Sequence, residues 1–217
     1  MHEGREYSGA RVGPFIDMTM LDRQTIKQRL AVPPTGDRGD HDLNPGFKPP
    51  RDPLLPAAVL VPLVEKQDGF TVLLTRRTHH LKAHAGQISF PGGKVEPGDD
   101  DAVATALRET EEEVGVPRSH IEIAGRLDRY VTRTGYDITP VVGIVKQPCP
   151  VRPDPFEVDE IFEAPLDFLL DPTNRVKDSR QYQGQTRYFY AMPFGDYYIW
   201  GATAGMLVNL AKRLMPG

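Results

Sequence analysis

The stretch RETEEEVG, Arg108–Gly115, places four glutamates within five residues of a segment whose apolar residues follow a helical period. Like charges at i,i+4 destabilise a helix, so this crowding needs a reason. Glu109, Glu112 and Glu113 stand at i, i+3 and i+4 and therefore share one helix face. Three converging carboxylates suit a hard divalent cation such as Mg²⁺ or Mn²⁺. The sequence predicts a metal site here, with Arg108 orienting the carboxylates by hydrogen bonds.

A solvated acidic helix face is the alternative, and the residues before the helix favour the metal site. The helix is entered through FPGGKVEPGDDD, residues 90–101. Two glycines in this stretch allow tight backbone turns, and the carbonyl of Gly93 is a further candidate metal ligand. The helix itself is predicted over Ala102–Val114, with Asp100 or Asp101 as its N-cap and a glycine at its end.

These residues resemble a Nudix box, whose pattern is G-x5-E-x7-R-E-U-x-E-E-x-G-U, with U an apolar residue. Gly93 matches the first glycine, and residues 108–116 match the second half. Thr110 fills an apolar position, and the spacing between the two halves is one residue longer than the pattern. An aspartate replaces the isolated glutamate. It is Asp99 when counted forward from the glycine, and Asp100 when counted back from the arginine.

The loop upstream carries a second resemblance. Residues 73–93, LLTRRTHHLKAHAGQISFPGG, are similar to the signature of the coenzyme A pyrophosphatase branch of Nudix hydrolases, LLT-x-R-[SA]-x3-R-x3-G-x3-FPGG. The matching residues are Arg77, Gly86, Phe90, Pro91, Gly92 and Gly93. Thr78 stands where Ser or Ala is usual, and Lys82 stands where Arg is usual. Residues 199–207, IWGATAGML, resemble the same branch.

The resemblance implies a metal-dependent enzyme that hydrolyses coenzyme A or acyl-coenzyme A to 3′,5′-ADP and (acyl-)4′-phosphopantetheine. It implies that Glu109, Glu112 and Glu113 bind Mg²⁺ or Mn²⁺, that Glu109 also acts as base or orients the water, and that Arg108 positions Glu109. The implied substrate contacts are Arg77, Lys82, Gly86, Phe90, Pro91 and Gly92. Further candidates are Asp99, His84, Glu157 and Glu160, with solvent exposure as the alternative for the histidine and a polar strand edge for the two glutamates.

Two other functions stay open. The first is a Nudix hydrolase of another nucleoside diphosphate derivative, such as ADP-ribose, NADH or a modified nucleotide. The second is a non-catalytic Nudix module that senses a nucleotide, although such modules usually lose carboxylates that this chain keeps.

Strands and helices alternate irregularly, which predicts an α/β fold with helices on both faces of a mixed sheet. The resemblance implies a Nudix-like α/β/α sandwich. Strands are predicted at residues 57–64, 70–75, 121–130, 138–145, 160–164, 187–191 and 197–200, and further helices at 19–30, 165–170 and 203–214. We expect residues 1–55 to form an N-terminal arm with a short helix and a Pro/Gly-rich linker, and residues 56–217 to form the Nudix hydrolase domain.

Composition and charge exclude several other classes of protein. The chain has 217 residues, a net charge of −4 and one cysteine. The charge argues against a nucleic-acid surface, and the apolar runs are too short to span a membrane. We predict a cytoplasmic protein that binds a small-molecule substrate, neither nucleic acid nor membrane, and leave a homodimer open.

Overall fold

The computed structural model describes residues 21–47, 53–81, 84–182 and 184–215. Within these ranges the chain forms four α-helices, namely α1 (Arg23–Ala31), α2 (Ala102–Val114), α3 (Leu166–Leu170) and α4 (Ala202–Leu214). The first six strands are β1 (Asp37–Gly39), β2 (Leu55–Lys66), β3 (Gly69–Arg77), β4 (Ile88–Ser89), β5 (Gly92–Lys94) and β6 (Ile121–Arg126). The other six are β7 (Arg129–Val131), β8 (Tyr136–Val145), β9 (Val158–Pro165), β10 (Val176–Tyr182), β11 (Gln185–Phe194) and β12 (Tyr197–Trp200).

Across the described residues the strands form two sheets. The large sheet has nine strands, with the order β1-β7-β8-β2-β3-β4, and β5, β6 and β9 pair with β2, β8 and β3. Its centre is the parallel pair of β2 and β8, whereas β2 and β3 are antiparallel. The small sheet is antiparallel, in the order β10-β11-β12. The predicted α/β fold with a mixed central sheet is confirmed.

Helices cover both faces of the large sheet because its central strands are apolar on both sides. Along β2, Val61 and Leu63 join one buried cluster while Leu60 and Val64 join another, as the alternation of a strand requires. The first cluster includes side chains of α1, α3 and α4. The second is covered by α2, which carries the glutamates. The candidate site therefore lies on the face that α2 covers.

The segment predicted as an N-terminal arm is built into this core from residue 21 on. Helix α1 begins after Asp22, whose side chain accepts a hydrogen bond from the backbone N–H of Thr25. The first two residues of the helix predicted over 19–30 lie outside the described residues. Ile26 and Leu30 are buried in the first cluster, and β1 pairs in parallel with β7. Within the predicted Pro/Gly-rich linker, residues 37–39 form β1, because pairing with the distant strand β7 outweighs the local Pro and Gly content. The division of the chain at residue 55 stays a prediction.

We expect Ile26→Ala to lower the free energy of unfolding by about 2–5 kcal/mol, the usual cost of truncating a fully buried isoleucine. Ile26 is 0% exposed. Chemical denaturation monitored by fluorescence measures the change. Val32→Ala is the matched control, because Val32 is 63% exposed at the end of the same helix and should change stability by less than about 0.5 kcal/mol. Equal stability of the two variants would contradict the packing described here.

Other boundaries differ for local reasons. The strand predicted over residues 121–130 is divided into β6 and β7. The segment between β3 and α2, where no strand is predicted, contains the short strands β4 and β5. Strand β10 was not predicted, because VKDSRQY lacks the apolar alternation of a half-buried strand, and all seven of its residues are exposed.

Candidate active site

Helix α2 has the bounds that the sequence predicts. The Asp101 carboxylate caps it by accepting hydrogen bonds from the backbone N–H groups of Val103 and Ala104, both 2.9 Å long. Gly115 ends it in the left-handed conformation, with φ of 67°. Thr110, which stands at an apolar position of the box, is buried and donates to the Ala106 carbonyl at 2.6 Å. Its hydroxyl is thus satisfied within the helix.

Asp99, rather than Asp100, pairs with Arg108. The carboxylate of Asp99 accepts from Nε and Nη2 of Arg108, each at 3.0 Å, and from the Thr105 hydroxyl at 2.8 Å. These bonds, with Arg108 the largest cause, hold the pKa of Asp99 well below its usual range. Asp100 is exposed. The residue by which this chain exceeds the Nudix spacing therefore lies between Asp99 and α2. The hydrogen bond from Thr105 to Asp99 was not predicted, because the sequence pattern contains no signal for it.

Arg108 also contacts the glutamates of α2. Its Nη1 donates to Glu109 at 2.9 Å and to Glu112 at 3.1 Å, and its Nη2 donates to the Lys94 carbonyl at 3.2 Å. One guanidinium thus fixes the loop before the helix and two carboxylates on the helix.

Gly93 allows the backbone of β5 to approach Glu109 closely. A Cβ at position 93 would overlap the Glu109 carboxylate, and a Cβ at Gly92 would lie 2.6 Å from Cα of Val59 on the neighbouring strand. A side chain at position 92 would push β5 away from β2, because it would meet backbone atoms of Ala58 and Val59. A side chain at position 93 would displace the Glu109 carboxylate instead.

Glu113 is a buried carboxylate with incomplete compensation. It is 4% exposed, and its Oε2 has no hydrogen-bond partner among the described residues. Arg77 Nη1 lies 3.7 Å from Oε1, and the backbone N–H of Gly92 donates to the carboxylate. Burial raises the pKa of Glu113 to about 8 despite these two contacts. A cation at the unpartnered oxygen would satisfy this group.

Glu157 adds a third negative charge to the same region. Its carboxylate lies 3.6 Å from Nη2 of Arg77, the arginine that also faces Glu113. Burial is the main cause that raises the pKa of Glu109, and the charge of Glu157 raises the pKa values of both Glu109 and Glu113. Glu109, Glu113 and Glu157 are therefore close enough to affect one another's pKa values, and we call these three residues the carboxylate cluster; Arg77 and Arg108 border it.

Glu112 differs from its neighbours because its side chain is 60% exposed and lies on Arg108. Within the ranges that the structure describes, no three carboxylate, histidine or cysteine side chains converge as metal ligands do. Arg108 Nη1 binds both Glu109 and Glu112, whereas Glu113 is buried and faces Arg77. The unpartnered oxygen of Glu113 and the oxygen-only donor set fit Mg²⁺ or Mn²⁺.

The predicted substrate loop divides into structural and exposed residues. Phe90 is buried in the core, and the Pro91 carbonyl accepts from the backbone N–H of Leu60, so both residues hold the loop and neither ring is available to a substrate. Their assignment as substrate contacts stays a prediction for their backbone groups. Gly86 adopts a φ of 68°, and His84 is exposed with Nδ1 2.9 Å from Gln87 Oε1. Lys82 lies outside the described residues.

Thr78 and Glu160 have structural roles. The Thr78 hydroxyl donates to the Phe156 carbonyl at 2.9 Å, which ties the motif loop to the segment that carries Glu157. Glu160 accepts from the Tyr197 hydroxyl at 2.7 Å and pairs with Arg76 at 2.8 Å. The Glu160 carboxylate therefore binds Tyr197 and Arg76, and of the two candidate glutamates it is Glu157 that faces Arg77 at the candidate site.

Carboxylates that can hold a divalent cation, with Arg77 and Arg108 beside them, suit a hydrolase that acts on a phosphate-bearing substrate. The family model described as "NUDIX domain" matches residues 54–182. The chain therefore belongs to the Nudix family.

Relatives agree with this assignment. The chain is 42% identical over 159 residues to "Uncharacterized Nudix hydrolase NudL" of Escherichia coli strain K12, a match that covers 73% of this chain and 82% of the relative. It is 39% identical over 158 residues to the protein of the same name from Yersinia pestis strain Pestoides F, covering 73% and 79%.

Solved structures of the family are more distant. A MutT/nudix family protein from Enterococcus faecalis is 17% identical with a TM-score of 0.46, covering 76% of this chain and 62% of that one. A Caenorhabditis elegans Ap4A hydrolase binary complex is 22% identical with a TM-score of 0.44, covering 52% and 82%. Separately, no helix in the described part of the chain is long and apolar enough to cross a membrane.

Proposed function

We propose that this Nudix hydrolase cleaves the diphosphate of coenzyme A or acyl-coenzyme A, giving 3′,5′-ADP and (acyl-)4′-phosphopantetheine. Hydrolysis adds one water across the P–O–P linkage. The water oxygen forms a bond to one phosphorus, and the bridging oxygen leaves with the other phosphate. Two negatively charged phosphates are the products, so the site must stabilise charge on phosphoryl oxygens.

The position of Arg77 carries this proposal. Arg77 is the arginine of the upstream signature, and its guanidinium lies 3.7 Å from Glu113 and 3.6 Å from Glu157. The motif that distinguishes the coenzyme A branch therefore reaches the carboxylate cluster of the general Nudix box. From this position Arg77 can transfer its contact from a carboxylate to a substrate phosphate, to which it offers a bidentate fork.

Glu109 is our candidate for the group that orients the water or accepts its proton. Its raised pKa makes it a better proton acceptor than an exposed glutamate, and Arg108 fixes its orientation at 2.9 Å. Glu109, Glu113 and Glu157 would hold Mg²⁺ or Mn²⁺, with Glu112 and the Gly93 carbonyl as further candidate ligands. The bound cation would neutralise charge on the phosphoryl oxygens.

The runner-up substrate is another nucleoside diphosphate derivative, such as ADP-ribose or NADH. Lys82 favours it, because lysine cannot offer the bidentate phosphate contact of the arginine usual in the coenzyme A branch. The departure at Thr78 has less weight, because its hydroxyl makes a structural bond that serine would also offer.

A product assay tests the proposal. Purified protein with Mg²⁺ or Mn²⁺ is given coenzyme A, acetyl-coenzyme A, ADP-ribose, NADH and a nucleoside triphosphate, and the products are separated by chromatography. We expect 3′,5′-ADP to form chiefly from the two coenzyme A compounds. Faster cleavage of ADP-ribose or NADH would keep the Nudix chemistry and reject the coenzyme A substrate. No metal-dependent turnover of any compound would favour the nucleotide-sensing module.

A further inference from the structure

Strand β10 is an edge strand with an open side. One side pairs with β11 through seven consecutive residue pairs, from Val176↔Ala191 to Tyr182↔Gln185. Among the described residues no strand pairs with its other side. All seven residues, VKDSRQY, are exposed. An edge of this kind presents unpaired N–H and C=O groups to any strand that can approach it.

The open side of β10 lacks two common protections of an edge strand. Its register with β11 is continuous, without a bulge that would twist it away, and VKDSRQY contains no proline. Its charged residues alternate in sign, Lys177, Asp178 and Arg180, so they repel most strands and select a partner with the matching pattern. The strand itself, run in the opposite direction, has that pattern.

Backbone geometry limits how two copies of β10 can pair around a two-fold axis. In an antiparallel pair, two residues that lie opposite each other have the same backbone orientation. Both point their N–H and C=O groups toward the neighbouring strand, or both point them away from it. Because these groups alternate along a strand, the axis must pass at a residue and not between two residues. An axis at Asp178 opposes two aspartates, and an axis at Arg180 opposes two arginines. An axis at Ser179 pairs the full strand.

The register centred on Ser179 is also the one with complementary side chains. It places Asp178 opposite Arg180 of the second copy, twice by symmetry. It also places Val176 opposite Tyr182 twice, which pairs two side chains that are 43% and 54% exposed in the single chain. Opposite charges and apolar–aromatic pairs at directly opposed positions both stabilise a sheet.

The charged side chains of this register are already ordered. Asp178 accepts a hydrogen bond from the Tyr198 hydroxyl, and the Arg180 guanidinium lies 4.3 Å from the centre of the Trp200 ring. Both contacts fall on one face of the small sheet. Because Tyr198 and Trp200 belong to β12, on the far side of β11, pairing across the open edge requires both charged side chains to turn toward the second copy.

We propose that the protein forms a homodimer in which β10 pairs antiparallel with β10 of a second copy, with the two-fold axis at Ser179. The two three-stranded sheets then join into one six-stranded sheet. The partner is a second copy of this chain because the self-complementary register is the observation that selects it.

Charge reversal tests the pairing in the full-length protein. Sedimentation equilibrium should find a dimer for the wild type. Asp178→Arg and Arg180→Asp should each weaken dimerisation by about tenfold or more, because each places like charges opposite one another twice. The double variant and an equimolar mixture of the two single variants should dimerise again. Circular dichroism of each variant checks that the protomer stays folded.

Cross-linking tests the register. In a Cys149→Ser background, which removes the single natural cysteine, Ser179→Cys should give a disulfide-linked dimer, because opposed Cα atoms lie about 4.5–5.5 Å apart. Lys177→Cys and Gln181→Cys should not cross-link alone but should cross-link when mixed. These two variants are matched controls on the same strand.

Three results would overturn the proposal. The first is a wild type that is monomeric at high micromolar concentration. The second is a dimer that both charge reversals leave unchanged, which would assign the interface to another surface. The third is dimerisation only after residues 1–20 are removed, which would assign the open edge of β10 to that segment.

Discussion

Glu113→Gln is expected to lower kcat by about 10²–10³-fold, the largest effect we expect from a single substitution. Glu113 is the buried carboxylate whose Oε2 has no partner, so it is the side chain that most needs a cation. Glutamine keeps the shape but cannot ionise when a cation binds, as a carboxyl group can. Loss of one charged metal ligand should remove several kcal/mol of transition-state stabilisation, which corresponds to this range. Steady-state kinetics with saturating Mg²⁺ or Mn²⁺ measures it.

Glu111→Gln is the matched control on the same helix. Glu111 points away from the cluster and pairs with Arg118 at 3.2 Å, so its variant should keep near-normal turnover. Thermal unfolding with and without the cation separates misfolding from lost binding. The wild type should gain stability from the cation, and a folded Glu113→Gln variant should gain much less. If Glu113→Gln and Glu112→Gln both turned over normally, the metal-site assignment would be wrong.

Asp99→Asn is expected to lower kcat by about 10–100-fold, whereas Asp100→Asn should leave it unchanged. Asp99 accepts two hydrogen bonds from Arg108, and Arg108 in turn positions Glu109 and Glu112. Asparagine at position 99 would present an N–H group to the guanidinium and release it. The two aspartates are adjacent and chemically identical, but only Asp99 accepts from Arg108, Thr105 and the backbone N–H of Glu96, so the comparison measures these bonds together.

The same steady-state assay measures both aspartate variants. Equal effects of the two substitutions would mean that the pairing of Arg108 with Asp99 does not determine the geometry of Glu109. A larger loss in Asp100→Asn would show that Asp100, counted back from Arg108, is the residue that replaces the isolated glutamate of the Nudix box.

Prediction from the sequence was most accurate where the apolar residues of an element follow a single period throughout. Helix α2 was predicted to its exact ends because its apolar stripe, its aspartate cap and Gly115 agree with one another. Sequence could not choose between Asp99 and Asp100, because only the hydrogen bonds from Arg108 distinguish them. Arg77 and Glu157 are 80 positions apart in the numbering, and only the pairing of β3 with β9 brings their elements together.

Motif matching was weakest at residues that combine several roles. Phe90 matches the signature of the loop, yet its ring lies in the core, because a motif does not distinguish residues that hold a loop from residues that contact a ligand. Strand β10 was missed because it buries neither face, so it leaves no alternation to detect.

The packing of α1 bears on how this protein should be produced. The family match begins at residue 54, after this helix has ended. A shortened clone starting there would expose the surfaces that Ile26 and Leu30 cover and would leave Glu122 without its ion pairs to Arg23 and Lys27. It would also uncover Gly125, against which the carbonyl of Leu30 packs. Such a fragment would tend to aggregate or be degraded, so the expression boundary belongs before residue 21.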